Sequence, residues 1–275
     1  MCRLLGVTRS GYYSYHKRSR NKPEDPLHQE MLEWVKRIAD ESGYTYGSRR
    51  MQNALGALGF PVGRNKAKKL MREAGVQARY RKKYKVRTDS NHKKPVFENV
   101  LNRRFVTNGP DQAYVGDITY IWTQEGWLYL AVVIDLFSRK VVGWSMSSRM
   151  KASLVCDALT MAIWQRRPKP GLIVHSDRGV QYASDIYRRL LKIHGYIGSM
   201  SRKGNCWDNA VAESFFGSLK QERVQWRHYQ SRHGAQQDIL NYITMFYNSY
   251  RLHSFLGYKH PNQFETQMLE LKKVA

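Results

Sequence analysis

The stretch AYVGDITYIWTQEGWLYLAVVIDLFSRKVVGWSMS, residues 113–147, decides the fold. Residues 113–123 alternate apolar and polar side chains, the period of a half-buried strand. Gln124, Glu125 and Gly126 supply a turn, and residues 127–137 are apolar enough for a central strand. Ser138 and Arg139 make a short connection to a third strand at 140–147. Three strands with joints this tight form an antiparallel meander.

Downstream, the pattern predicts a helix over 151–165, a buried strand over 171–177 (GLIVHSD), a helix over 184–195, a short strand over 196–200 and a helix from about Asp208 to Glu222. The order β-β-β-α-β-α-β-α gives an α/β fold, a mixed five-stranded sheet with flanking helices.

Upstream the texture is helical and basic. Thr8 is placed to cap a basic helix. Leu27, Met31, Trp34, Val35 and Ile38 follow the helical period over 27–42, and 48–58 makes a second helix. After the turn GFPVG (59–63), residues 64–76 form a third helix with Lys66, Lys68, Lys69 and Arg72 as a basic surface and Gly75 as its stop. Three short helices ending in a basic one suggest a helix-turn-helix-like DNA-binding region. Residues 79–94 carry eight Lys/Arg and one Asp with no apolar period, as an extended linker would. The expected division is a helical region at 1–78, a basic linker at 79–108 and a catalytic domain with a helical tail at 109–275.

The formal charge of +24 calls for a polyanion partner, and nucleic acid is the simplest. Residues 1–100 hold 23 basic and 9 acidic side chains, so the front is the denser anion binder. Cys2, Cys156 and Cys206 are scattered, which argues against a disulfide framework or a zinc site. The polar N-terminus does not read as a signal peptide and no apolar run is long enough to span a bilayer, so a cytoplasmic, nucleoid-associated protein without a membrane is expected.

Three acids are the candidates for chemistry. Asp117 puts a charge inside a strand that is otherwise apolar, which is costly without a partner or a metal. Asp177 closes the strand GLIVHSD at its C-terminal end, where α/β sites gather. Glu213 lies on the helix after Asn205. Each has a plain reading: Asp117 paired with a lysine, Asp177 capping the turn Asp-Arg-Gly, Glu213 exposed. Together, in so basic a chain, they suit two Mg²⁺ ions held by carboxylates, which polarise a scissile phosphate and activate water or a 3′-OH. Asn209 and Lys220 fall on the same helical face as Glu213, with Lys220 about 10 Å along the axis, placed to hold a phosphate. Arg202 and Lys203 extend the positive surface. His175, two residues before Asp177, either contacts a phosphate or is a packed core histidine.

The segments GDITYIWTQEGWLYLAVVIDLFSRKVVGWSMS, HSDRGVQYAS and SRKGNCWDNAVAESFFGSLKQE resemble the catalytic core of IS3-family insertion-sequence transposases. The 35 residues between Asp177 and Glu213 resemble the family's D,D(35)E arrangement. LLGVTRSGYYSYHKR (4–18) and residues 41–76 resemble the start of the family's second reading-frame product, and YNSYRLHSFLGYKHPNQFE (247–265) its closing segment. Trp207 stands where Tyr is more usual. The resemblance implies an RNase H-like core, metal-binding roles for Asp117, Asp177 and Glu213, Mg²⁺ with Mn²⁺ as a substitute, double-stranded DNA as element end and target, and at least a dimer on DNA. It also implies work as a fusion with an upstream reading-frame product. The competing readings are a DNA-binding assembly or regulatory component without its own catalysis, and a nuclease for DNA–RNA hybrids.

Overall fold

The computed structural model describes residues 6–20, 25–80, 95–202 and 206–274. The chain divides into two compact units, Met1–Ala78 and Arg79–Ala275.

The first unit is helical. Helix α1 (Arg9–Arg20) starts where Thr8 accepts the Gly11 N–H through its hydroxyl at 3.1 Å. Helix α2 (Pro26–Glu41) is capped by Asp25, whose carboxylate accepts the Leu27 N–H. Its buried stripe is Met31, Val35, Ile38 and Ala39, whereas Leu27, read from sequence as part of the apolar face, is exposed. Leu27 sits in the first turn, and the stripe that meets the neighbouring helices begins one turn later. Helices α3 (Ser48–Ala57) and α4 (Arg64–Glu73) bury Met51, Leu55, Ala67, Leu70 and Met71. Gly75 ends the unit's last helical stretch in the left-handed region, φ +69°, where a side chain would be strained. Lys66, Lys68, Lys69 and Arg72 all face outward on α4.

The second unit is built on one sheet. Strands β1 (Ala113–Thr123), β2 (Gly126–Asp135) and β3 (Val141–Ser147) form the antiparallel meander. After helix α5 (Ala152–Arg166), β4 (Ile173–Ser176) pairs parallel with β1. Helix α6 (Asp185–Ile193) then leads to β5 (Ile197–Met200), parallel to β4. The strand order is β3-β2-β1-β4-β5, the mixed five-stranded sheet expected from the pattern. A 3₁₀ turn at Cys206–Asn209 precedes helix α7 (Ala210–Glu222). Helix α8 (Arg232–Asn241) runs into a π-helical turn at Tyr242–Tyr247, and α9 (Pro261–Val274) closes the chain.

Alternation along the strands sorts two cores. Val115, Ile121, Leu128, Leu130, Val132 and Ile134 face α7, α8 and the π turn through Phe215, Leu219, Ile239 and Tyr242. Tyr114, Ala131, Val133 and Val174 face α5 and α6 through Leu154, Leu159 and Leu191. Part of the stretch expected to be linker belongs to these cores. Leu101 is buried in the first, Phe97 packs on the second, and Met200 donates its N–H to the Glu98 carbonyl at 3.3 Å. Apolar residues spaced among the charges of 95–105 make this possible. Residues 81–94, the most basic run, lie outside those described. No helix among the described residues is long and apolar enough to cross a membrane.

Buried charge ties the tail to the meander. Asp135, at the end of β2, has no exposed surface and accepts the Ser138 N–H and O–H at 3.2 and 2.9 Å. Glu265 of α9 lies 2.8 Å from the same hydroxyl and competes with Asp135 for its single proton, and it accepts two bonds from Arg166. Burial pushes the Asp135 carboxyl up to about 6, with the charges of Glu265 and Asp111 adding to it. A raised carboxyl binds its proton more tightly folded than unfolded. This group's contribution to stability is therefore fullest below about pH 4 and declines as pH rises to about 6, by at most roughly 3 kcal/mol. Urea melts at pH 4.5 and 7 should show a smaller loss across this window for Asp135→Asn than for the native chain. Equal slopes would remove Asp135 as the cause.

Candidate active site

The register of β1 and β4 brings two of the three acids side by side. Ser176 pairs with Gly116, and Asp177 and Asp117 are the next residues on each chain. Their backbones therefore stand at one level on neighbouring strands, whose axes lie about 4.8 Å apart. Asp117 shares its pleat face with Val115 and so points toward α7. Glu213 comes from that helix, in its exposed first turn, where the helix dipole favours a negative charge.

Electrostatics record the convergence. The half-buried Asp117 carboxyl is held well above the usual carboxylate range, first by loss of water, then by the charge of Asp177, with Glu213 adding to it. The Ile118 N–H, 2.7 Å from Asp117 Oδ1, and the Lys220 ammonium act the other way. Behind Gly116 lies the buried ring of Tyr182, whose phenol burial pushes well up with help from Asp117 and Asp177. As placed, no three His, Cys, Asp or Glu side chains among the described residues stand close enough to clasp an ion. The acids share one field without touching a common point.

Asp177 also does what the plain reading of its turn expects. Its Oδ1 accepts the Gly179 N–H at 2.9 Å. A Cβ on Gly179 would lie 3.0 Å from that oxygen and 3.2 Å from Gln181 Oε1. Gly179→Ala should therefore push the carboxylate aside, lowering strand cleavage about 10- to 100-fold with little change in melting temperature. Cleavage rates and thermal melts on the same preparation check this, and an unchanged rate would mean the carboxylate has room to yield.

The remaining candidates separate. Lys220 lies in the last turn of α7, its ammonium 4.8 Å above the Tyr120 ring and its pKa lowered by burial against the pull of Asp117. Asn209 is not on the helix face shared by Glu213 and Lys220. It ends the 3₁₀ turn as the N-cap of α7, is buried, and its Oδ1 has no hydrogen-bond partner. The α-helix starts later than its sequence suggests because Asp208 is drawn away into ion pairs. His175 has no exposed surface and bonds Ser199 and Ser201 at 2.9 and 3.2 Å. Burial lowers its pKa to about 4, so it stays neutral at physiological pH. The packed-histidine reading replaces the phosphate contact, because a phosphate has no surface of His175 to reach. Arg202 directs its guanidinium to Asp208, with bonds of 3.1 Å from Nε and from a terminal nitrogen. Lys203 lies outside the described residues.

Two clamps on α7 were not read from sequence. At its start, the buried Asp208 takes Arg202, Arg103 and Asn99, which hold its carboxyl well below the usual range. At its end, Glu222 takes Arg251 through contacts of 2.7 to 3.0 Å and the Tyr242 hydroxyl at 2.7 Å. Both fix the helix that carries Glu213. Apart from Arg202, six residues before Asp208, the partners are distant in sequence, so no local spacing signals them.

Known proteins carry the same parts. Residues 107–206 and 213–269 match models of the integrase core domain, and residues 26–84 match an HTH-like domain. The transposase InsF of insertion sequence IS3A from Escherichia coli strain K12 is 45% identical over 270 residues, covering 98% of this chain and 94% of that protein. A 31 kDa protein of insertion element IS600 from Shigella sonnei is 42% identical over 267 residues, covering 96% and 97%. A chain in the cryo-EM structure of the simian T-cell lymphotropic virus intasome with the PP2A regulatory subunit B56 gamma aligns at TM-score 0.50 and 18% identity, covering 78% of this chain and 70% of that one, a likeness of fold. With a five-stranded integrase-type sheet, an HTH-like front and near full-length identity to InsF, the chain belongs to the IS3 family of insertion-sequence transposases.

Proposed function

We propose that this transposase is a divalent-metal-dependent polynucleotidyl transferase of the D,D(35)E type. It would hydrolyse one phosphodiester at an insertion-sequence end and join the freed 3′-OH to a phosphodiester of target DNA. The observation that carries the reading is the β1–β4 register that sets Asp117 beside Asp177, with Glu213 and Lys220 of α7 within their electrostatic reach.

The donor set suits a hard dication. Asp177 and Glu213 place their charges near Asp117, which already resists ionisation, and carboxylate oxygens of this kind hold Mg²⁺, with Mn²⁺ as a substitute. When bound, two such ions supply polarisation of the phosphate and stabilisation of the attacking and departing oxygens. The chain's own groups do the rest. Asp117, Asp177 and Glu213 hold the centre on two strands and one clamped helix. Lys220 meets a non-bridging phosphate oxygen. In hydrolysis, the water oxygen bonds to phosphorus and the 3′-oxygen leaves. In joining, that 3′-oxygen gives its proton to water and bonds to a target phosphorus, the target's own 3′-oxygen leaves and takes up a proton, and no bond between protein and DNA is needed. Lys66, Lys69 and Arg72 on α4 contact backbone phosphates, which set position more than sequence. Arg202 acts through Asp208, and Asn209 holds the start of α7. Double-stranded DNA is the partner, two or more copies act together on it, and fusion with an upstream product completes recognition of the ends.

The test is strand cleavage and joining on element-end DNA with Mg²⁺ or Mn²⁺. Metal-dependent cutting followed by joining through the new 3′-OH is expected, alone or with the upstream segment fused. DNA binding without cutting in both forms would favour an assembly component instead.

A further inference from the structure

Beyond Gly116, no strand among the described residues pairs with β1 on its outer side, since β4 pairs only with residues 113–116. The free edge runs to Thr123, which is bridged to Tyr229. An aromatic cluster stands along it. Trp122 and Trp127 are cross-strand partners at the tip of the β1–β2 hairpin, 59% and 42% exposed. Their rings lie 4.8 Å apart at 73°, and Tyr120 meets Trp127 at 5.0 Å and 86°. Tyr120 and Trp122 point to the pleat face opposite Asp117, yet the free edge joins the two faces. Lys220, from the Asp117 side, reaches round it to the Tyr120 ring.

We propose that Tyr120, Trp122 and Trp127 are a stacking platform for unpaired bases of the DNA strand beside the scissile phosphate. This rests on the reading of Asp117 as part of a strand-cutting centre. Two large indoles held open to water need a flat apolar partner, and every base offers one regardless of sequence. The ammonium between platform and acids supplies the charge that a phosphate linking those bases requires. Tyr120 lies about 10 Å and Trp122 about 17 Å along β1 from Asp117, the length of about three to five stacked nucleotides. A partner protein chain could cover the same rings, but it would have no use for Lys220 beside them.

The test uses the full chain with Asp117→Asn, so that DNA stays uncut. It is titrated with element-end duplexes whose last three base pairs are either intact or mismatched, with 2-aminopurine at one unpaired position. Mismatched ends should bind more tightly, and stacking should quench the 2-aminopurine. Trp122→Leu and Trp127→Leu keep apolar bulk in the hairpin, and each should reduce that preference about 10-fold while leaving intact-duplex affinity unchanged. In the chain with Asp117 intact, cleavage should favour mismatched ends, and the same leucine variants should lose that advantage. Preference and quenching that survive both substitutions would overturn the platform. So would loss of self-association in the leucine variants with base preference intact, which would give the surface to a second copy. A native chain that never cuts DNA, yet shows tryptophan-dependent quenching, would overturn the catalytic reading by a separate result.

Discussion

Asp117→Asn should reduce strand cleavage and joining by at least about 10³-fold while raising the melting temperature. The two effects have one cause. Asp117 is desolvated and faces the charges of Asp177 and Glu213, so its ionised form is costly in the folded chain. Asparagine keeps the oxygen that accepts the Ile118 N–H at 2.7 Å and removes the charge. Relief of about 1 kcal/mol would raise the melting temperature by about 2–4 °C for a domain of this size. The same charge is what a hard cation needs, so its loss removes catalysis whatever it does for stability. Duplex affinity should change little, because the basic surface of α4 is untouched. Cleavage assays, thermal melts and binding at one salt concentration give the three readouts. Retained metal-dependent cutting would exclude Asp117 from the site.

Arg251→Ala should be among the most damaging single changes outside the acids. Arg251 is 5% exposed and wraps Glu222 through Nε and one terminal nitrogen, and that same terminal nitrogen reaches Ser218 Oγ at 2.9 Å. Removing it takes the guanidinium from a largely buried Glu222 that also accepts the Tyr242 hydroxyl at 2.7 Å. An uncompensated buried carboxylate of this kind costs about 3–5 kcal/mol, a fall of about 10 °C or more in melting temperature. The paired change Arg251→Met with Glu222→Leu should recover more than half of that loss, since it removes both charges and keeps volume. Denaturant melts decide it. A loss below about 1 kcal/mol for Arg251→Ala would mean that water reaches Glu222 and screens it.

What the sequence displayed was what repeats at short range. The alternation of 113–123 and the unbroken apolar run after it marked the central strands, and their order marked the mixed sheet. Asp117 stood out because a charge inside an apolar strand breaks a local pattern. Residues whose role depends on distant partners were not visible. Asp208 looked like the first residue of a helix, but Arg103 and Arg202 hold it in a 3₁₀ turn and Asn209 becomes a buried cap. His175 sits on the same stretch as Asp177, and only the neighbouring strand, with Ser199, reveals that it is enclosed. Phe97 and Leu101 were read as part of a basic tether because charge dominated the window around them.

The free edge of β1 carries a hazard apart from any chemistry. The outward-facing N–H and C=O groups along residues 117–122, apart from the Ile118 N–H held by Asp117 Oδ1, are a template on which a strand from another molecule could add. Closing that edge with a longer β4 would cover the place where Asp117 and Asp177 meet. The chain guards it by other means, with a carboxylate in the strand itself, a lysine lying across its face, and the Tyr229 bridge at its far end. The charges proposed for the centre thus also keep the unfilled position in the sheet from recruiting a stray strand.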